Sequence, residues 1–340
     1  MINKAKIFSN KTIFITGGTG SFGKFFVNNV LKYNPKKIII FSRDEDKQYT
    51  LQNDLKEYSQ KLRFVIGDVR QRDSIMKATR DSVDILIHAA ALKQVPSAEY
   101  NVFEAVSTNV VGAQNVVDAC IENNIPKALS ISTDKAVEPI NAYGMTKGLQ
   151  ERIFVLGNKN RGKSDTKFSS VRYGNVLASR GSVVPLFKKQ IENGGPITLT
   201  HKDMTRFILT LKQAFELVSI ALNNMVGGEI FIPKINPIRI SDLARVMVNS
   251  LRPADMRIIE TGLRPGEKFH ETLISPLESI RTVIRQDYYV VLPQIEIDDI
   301  GFTYKLNNYK NPKTFRYSSD SGVFLSEKQV EDILRAEKII

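Results

Sequence analysis

The sequence predicts an α/β protein, a Rossmann-type doubly wound parallel sheet with a smaller C-terminal lobe. Three observations carry that expectation. Short apolar runs alternate with helix-periodic stretches through the first half of the chain. Gly17, Gly20 and Gly23, in G-x-x-G-x-x-G spacing, join the first apolar run to the first helical stretch. Thr133, Asp134 and Lys135 directly follow a later apolar run, and Tyr143 and Lys147 open the helix after it. Strand ends of this kind face the ligand crevice of an open α/β sheet.

Thr12 to Ile15 reads as the first strand, running into Thr16-Gly17-Gly18-Thr19-Gly20-Ser21-Phe22-Gly23. Helical periodicity follows from Phe25 to Leu31, then a second strand from Lys37 to Phe41. Glycines between a strand and a helix let the backbone approach a pyrophosphate, whose charge the helix amino terminus attracts. The second strand ends in Ser42, Arg43 and Asp44, with Lys47 and Gln48 one turn on. NAD-selective sites place a carboxylate first at this strand end, whereas a guanidinium and an ammonium suit a 2′-phosphate. The expected cofactor is therefore NADP. Asp44 serves either a ribose hydroxyl or the cap of the next helix.

Arg63 to Ile66 forms the third strand and delivers Gly67, Asp68, Val69 and Arg70. Asp68 either meets the adenine edge or caps a helix from Ser74. Asp84 to His88 forms the fourth, followed by Ala89, Ala90 and Ala91, whose small side chains let a cofactor pass close, and by Lys93. One long helix is expected over Asn101 to Asn123. Ala128 to Ile131 is the fifth strand and Phe168 to Arg172 the sixth, ending in Tyr173-Gly174-Asn175-Val176.

Beyond this point the alternation loosens. Helices are expected at Val183 to Glu192, after Met204-Thr205-Arg206-Phe207 to about Asn223, at Ser241 to Leu251 and at Lys328 to Glu337. Strands are expected at Glu229 to Ile232, Arg257 to Glu260 and Tyr288 to Leu292. The chain divides into residues 1–175, an NADP-binding Rossmann domain, and 176–340, a substrate-binding lobe, with segments near 200–235 returning to the first.

The balance of 48 basic and 36 acidic residues gives a net charge of +12, which suits phosphates. The basic residues are spread, with no nucleic-acid motif, so nucleic acid is not the expected partner. A single cysteine, Cys120, excludes a disulfide scaffold, and His88, His201 and His270 have no metal-ligand spacing. The opening residues are too short for a signal peptide, and no apolar run approaches about 18 residues. A cytoplasmic protein with no membrane span is expected.

Tyr143 and Lys147 share one helical face. A phenol is a poor base near neutral pH, but an adjacent lysine and a positive nicotinamide favour the phenolate. Such a phenolate takes a proton from a sugar hydroxyl while hydride leaves for the cofactor, with Thr133 bonding the same oxygen. Asp134 and Lys135 add a second acid–base pair, which simple alcohol oxidation does not need. A lysine whose pKa is lowered by desolvation can remove the acidic proton beside a carbonyl, and a protonated carboxyl can serve a departing hydroxyl.

These residues resemble the extended short-chain dehydrogenase/reductases, and more narrowly the inverting UDP-N-acetylglucosamine 4,6-dehydratases of bacterial surface-sugar pathways. The resemblance spans roughly residues 10 to 295. It rests on ITGGTGSFGK at 15–24, SRDEDKQ at 42–48, GDVR at 67–70, HAAALKQVPSAEY at 88–100, STDKA at 132–136, VRYGNV at 171–176, SRGSVVP at 179–185, MTRF at 204–207 and RPGEK at 264–268. It implies that Tyr143, with Thr133 and Lys147, deprotonates the sugar 4-hydroxyl as NADP takes hydride. Lys135 removes the proton at carbon 5 and Asp134 protonates the leaving 6-hydroxyl. Lysine at 135, where retaining enzymes have Glu, implies inversion at carbon 5. Thr19 to Phe22, Arg43 to Gln48, Gly67, Asp68, Ala89, Tyr143 and Lys147 match the NADP positions. Lys93, Thr133, Asn175, Arg264 and Glu267 match the substrate positions, and the charges of Arg180 and Arg206 suit a diphosphate. Similar proteins form dimers or hexamers.

Gln94 and Val137-Glu138 are closer to the capsule and O-antigen enzymes that combine 4,6-dehydration with 5-epimerisation, whereas those often have Met at the place of Tyr143. A bifunctional dehydratase/epimerase, a nucleotide-sugar 4-epimerase and a non-catalytic NADP-sensing protein are the other readings.

Overall fold

Short apolar segments, buried on both faces, pair side by side as parallel sheets require. The computed structural model describes residues 2–179, 181–251, 256–297 and 314–340. Its first six main-sheet strands are β1 (Thr12–Thr16), β2 (Lys37–Ser42), β3 (Leu62–Ile66), β4 (Ile85–His88), β5 (Lys127–Thr133) and β6 (Lys167–Tyr173). Every residue of β1 is buried. The spatial order is β3-β2-β1-β4-β5-β6, all parallel. The strand order reverses between β1 and β4, where an open sheet leaves a crevice for a ligand.

Ile230–Pro233 extends the sheet in parallel beside β6, and Tyr288–Val291 and Thr282–Ile284 finish it antiparallel. The expected boundary at 176 placed this last hairpin in the second lobe, but its backbone pairs with the main sheet. The chain thus leaves the sheet and returns to it twice.

One apolar layer packs Phe26, Val30, Phe215 and Val218 against the sheet, and a second packs Ile75, Val116, Phe154 and Phe168 on the other face. Helix Leu211–Asn224 belongs to the first layer and begins with a reciprocal cap between Thr210 and Gln213. A separate core, including Phe187, Leu243, Met247 and Leu334, joins helices Val183–Glu192, Ile240–Leu251 and Glu327–Ala336.

Other departures have local causes. The expected helix over Asn101 to Asn123 is instead Val102–Val106, a π-helical stretch Ser107–Val111, and Gly112–Glu122. Within the π stretch the Asn109 amide donates to the Leu92 carbonyl at 3.0 Å and accepts from the Leu92 amide at 2.8 Å, a tertiary contact that periodicity does not carry. Thr205–Leu209, read as the approach to a helix, is a strand between Pro237–Arg239 and Asn175–Val176. A short helix, Lys4–Phe8, precedes β1 where no element was expected.

A buried ionic knot ties β6 to the second half of the chain. Arg172 donates to both oxygens of Glu151, at 2.9 and 2.6 Å, and to both oxygens of Glu278, at 2.9 and 3.0 Å. It also donates to the Leu273 carbonyl at 2.9 Å. Only bidentate pairing of this quality makes a fully buried guanidinium tolerable.

Candidate active site

The carboxyl ends of the central strands open onto a cleft of about 650 Å³. Its dinucleotide side begins at Gly17, which has φ of +66°; a Cβ there would stand 2.8 Å from the Ala90 nitrogen. The turn and the Ala89–Ala90 strand end therefore pack backbone on backbone, leaving a cradle of amides at the start of helix Ser21–Leu31. Thr19, Gly20, Ser21, Phe22 and Gly23 line the same wall, as do Gly67, Val69 and Ala91. The walls have the shape and donors that a dinucleotide needs.

At the end of β2, Asp44 caps helix Glu45–Asp54 by accepting from the Lys47 amide at 2.9 Å, and it also pairs with the Lys47 ammonium. Of its two readings the cap is the one realised in the fold. Gln48 is buried and its amide donates to the Ser42 and Val65 carbonyls, each at 2.9 Å, clamping β2 to β3. The Thr19 hydroxyl donates to Ser42 at 3.2 Å. Asp68 caps no helix: Arg70 grips it at 2.8 and 2.7 Å and Arg43 lies 3.5 Å away. Although burial acts against the charge, these guanidinium contacts hold its carboxyl below the usual range. Arg43 is half exposed at the cleft rim.

Lys147 is buried beneath the cleft and donates to the Ile131 carbonyl at 2.6 Å and to Gln150 at 2.5 Å. Burial, partly offset by Glu151, brings its pKa down to about 7. His88 behind it is fully buried and stacked on Phe154; its Nδ1 pairs with Thr16 at 2.9 Å. Burial and the Lys147 charge push its pKa to about 3, so it stays neutral.

The chemistry gathers on the tight turn Asp134–Ala136, directly after β5. Asn141 caps helix Ala142–Asn160 by accepting from the Gly144 amide at 2.7 Å, and this helix start lies on the turn. A Cβ on Gly144 would come within 2.2 Å of the Lys135 carbonyl, so only glycine permits the approach. Asp134 is fully buried; one oxygen accepts from the Thr133 hydroxyl at 2.9 Å and from the Lys135 ammonium at 3.0 Å, while the other has no hydrogen-bond partner. Tyr143 opens onto the cleft beside Thr133 and Lys135. Burial raises its phenol to about 12, against the opposing pull of Lys135 and Thr133. The cation acting on the phenol here is Lys135, whereas Lys147 is committed to the carbonyl beneath.

Lys135 itself reverses an expectation. Desolvation was expected to lower its pKa. Burial does work against the ammonium, but the carboxylates of Asp134 and Glu271, each 3.0 Å away, outweigh it and raise the pKa above the ordinary lysine range. Glu271 is the residue that sequence reasoning missed. It lies shortly after the RPGEK run, and no spacing rule connects it with position 135.

The cleft is also lined by Lys93, Asn175, Arg206, Arg264 and Glu267. Burial lowers the Lys93 pKa. The Asn175 side-chain oxygen is buried without a hydrogen-bond partner. Arg206 donates to the Thr205, Phe269 and Lys268 carbonyls at 2.7, 2.9 and 2.9 Å and lies 3.6 Å from Glu267, so much of its guanidinium braces the cleft lining. Arg180 lies outside the described residues. Among the described residues no group of His, Cys, Asp and Glu could hold a metal ion, and no helix is long and apolar enough to cross a membrane.

Sheet order, glycine cradle and the Thr-Asp-Lys/Tyr-x-x-x-Lys crevice together define an α/β protein of the extended short-chain dehydrogenase/reductase type. The chain belongs to the polysaccharide biosynthesis protein family, whose model matches residues 13–293. It is 45% identical over 336 residues to a UDP-N-acetylglucosamine 4,6-dehydratase (inverting) of Campylobacter jejuni, covering 96% of this chain and 98% of that one. It is 43% identical to a UDP-glucose 4-epimerase of Rickettsia conorii, over 83% of each chain. The solved structure of Pen from Bacillus thuringiensis superposes with a TM-score of 0.91 at 37% identity, covering 98% of this chain and 99% of that one.

Proposed function

We propose that the protein is an NADP-dependent lyase that dehydrates UDP-N-acetylglucosamine across carbons 5 and 6 and inverts carbon 5. The product is UDP-2-acetamido-2,6-dideoxy-β-L-arabino-hex-4-ulose, a precursor for surface-polysaccharide sugars. The observation that carries this reading is the Asp134–Lys135 acid–base pair beside Tyr143, with Lys135 lining the cleft and Asp134 buried directly behind it. The likeness to the Campylobacter protein supports it.

The glycine cradle, Arg43, Lys47 and the Ala89–Ala91 strand end would hold the dinucleotide. When bound, it supplies a reversible acceptor for hydride from carbon 4, later delivered to carbon 6. Tyr143 accepts the proton of the 4-hydroxyl, with Thr133 orienting that oxygen. The resulting ketone makes the carbon 5 proton acidic, and Lys135 removes it. Asp134 gives a proton to the departing 6-oxygen, which leaves as water. Protonation at carbon 5 from the opposite face then inverts the centre. Lys93, Asn175, Arg264 and Glu267, which also line the cleft, would seat the nucleotide sugar.

Incubation with UDP-N-acetylglucosamine in deuterated water should give a keto-sugar lighter by one water and carrying deuterium at carbon 5. Intact mass with no deuterium would defeat the proposal. A UDP-glucose 4-epimerase is the second reading, favoured by the Rickettsia relative; it yields a product of unchanged mass with an inverted carbon 4.

Cofactor choice has its own test. Arg43 is the half-exposed cation at the end of β2, so Arg43→Ala should weaken NADP about ten-fold, the scale of one partly solvated charge-assisted contact. NAD affinity should stay unchanged. Calorimetric titration with both dinucleotides measures this, and equal weakening would assign Arg43 to the fold.

A further inference from the structure

The Lys135 ammonium sits between two carboxylates, Asp134 on its own turn and Glu271 from the second half of the chain, at 3.0 Å from each. The Glu271 side chain is 2% exposed, lines the cleft, and its second oxygen has no hydrogen-bond partner. A buried carboxylate is tolerated only where it is paired, here with Lys135. The backbone holds it in place: the Glu271 amide donates to the Ser319 hydroxyl at 2.9 Å, and its carbonyl accepts from the Ser319 amide at 2.8 Å. Ser319 is in turn held by Thr205 at 2.8 Å. Among the described residues, the other charged or titratable groups that act on Lys135 are Tyr143 on helix Ala142–Asn160, Arg206 on strand Thr205–Leu209, and Lys268 just before Glu271.

The geometry points to Glu271 as a positioning residue for the dehydration: a fixed counter-charge that sets the base strength of Lys135 and lets Asp134 work as the acid. This inference rests on the proposed dehydratase reading. Lys135 passes one proton to Asp134, which leaves neither of them charged. Glu271 keeps its negative charge beside the amine, and that charge strengthens the amine as a base toward carbon 5. The pair is then a neutral amine beside a carboxylic acid. The amine takes the proton from carbon 5, and the electrons of that C–H bond form the C5–C6 double bond. The C6–O bond breaks and its oxygen takes the Asp134 proton, leaving as water. Lys135 is again an ammonium and Asp134 a carboxylate, as at the start. Glu271 neither gains nor loses a proton. The two carboxylates also explain why burial fails to lower the Lys135 pKa.

Glu271→Gln keeps a hydrogen-bond acceptor against the ammonium and removes the charge. Two readouts are made on the full-length NADP-loaded protein. One is deuterium incorporation at carbon 5 of UDP-N-acetylglucosamine. The other is the pH midpoint of acetic anhydride labelling of Lys135, followed by mass spectrometry without substrate. Expected results are carbon 5 exchange slowed about 30-fold, within the range for a general base of altered strength, and a labelling midpoint lowered by about one pH unit. Glu271→Asp, which keeps the charge, should restore the midpoint. An unmoved midpoint, or exchange within about two-fold of wild type, would overturn the role of Glu271. If the wild type exchanges nothing while the midpoint still shifts, the dehydratase reading falls and the counter-charge role stands. Should Glu271→Gln not fold, Asp134→Asn decides: a Lys135 midpoint that stays above the ordinary value of about 10.4 supports the role of Glu271, and one at or below it overturns it.

Discussion

Lys135→Met will abolish deuterium exchange at carbon 5 while leaving NADP binding intact. The substitution preserves the length of the side chain and removes its only basic atom. The described neighbours have other roles: the Tyr143 phenol is assigned to the 4-hydroxyl, Asp134 to the departing 6-oxygen and Glu271 to the counter-charge, and the ammonium of Lys268 donates to the Val137 carbonyl at 2.9 Å. Loss of a positioned general base costs about 10²–10⁴ in rate. Removing the cation also strips Tyr143 of the nearest charge that opposes the effect of burial on its phenol. The phenol should therefore become a still weaker acid, slowing the step at carbon 4 as well. The discriminating observation is the ratio of the two steps, with carbon 5 exchange lost and carbon 4 oxidation only slowed. Normal exchange in this variant would remove Lys135 from the mechanism.

Arg172→Met will strongly destabilise the fold. Arg172 is 2% exposed and holds Glu151 and Glu278 together. Breaking a buried pair by deleting one partner costs about 3–5 kcal/mol, because the other partner remains buried and uncompensated. Two such partners remain here. The pH dependence gives the effect a signature. Burial alone would raise the Glu278 pKa, but Arg172 holds it below the usual carboxylate range. The wild-type contribution is therefore present above the unfolded value of about 4.3 and fades as pH falls through the lower folded one. In the variant the uncompensated carboxyl shifts upward, so its stability fades as pH rises. The gap between wild type and variant should widen from acid toward neutral pH in urea unfolding. A gap independent of pH would point to lost packing rather than lost charge pairing.

The parallel sheet was legible because most of its strands, the partly exposed β3 apart, are buried on both faces and read as apolar runs, as Ile38 to Phe41 and Ile85 to Ile87 show. The crevice residues were legible because they follow such runs directly, which fixes them at strand ends. Much of the second half was not. Ile197–Leu199, Pro237–Arg239 and Thr272–Ile274 are three residues each, too short for alternation to register. The π-helical stretch depends on where the Asn109 side chain finds the Leu92 backbone, a contact made only in the folded chain. The direction of the Lys135 shift was misread for a related reason. Desolvation is outweighed by two carboxylates together, and only Asp134 is a neighbour in sequence; Glu271 arrives through the fold.

The late return of the hairpin at 282–291 to the main sheet has a consequence during synthesis. A ribosome releasing this chain exposes Ile230–Pro233 well before Tyr288–Val291 has been translated. For that interval one flank of the nascent sheet is an open row of peptide donors and acceptors, the kind of surface that captures neighbouring polypeptides. Pausing or truncation between these two points should therefore favour insoluble product.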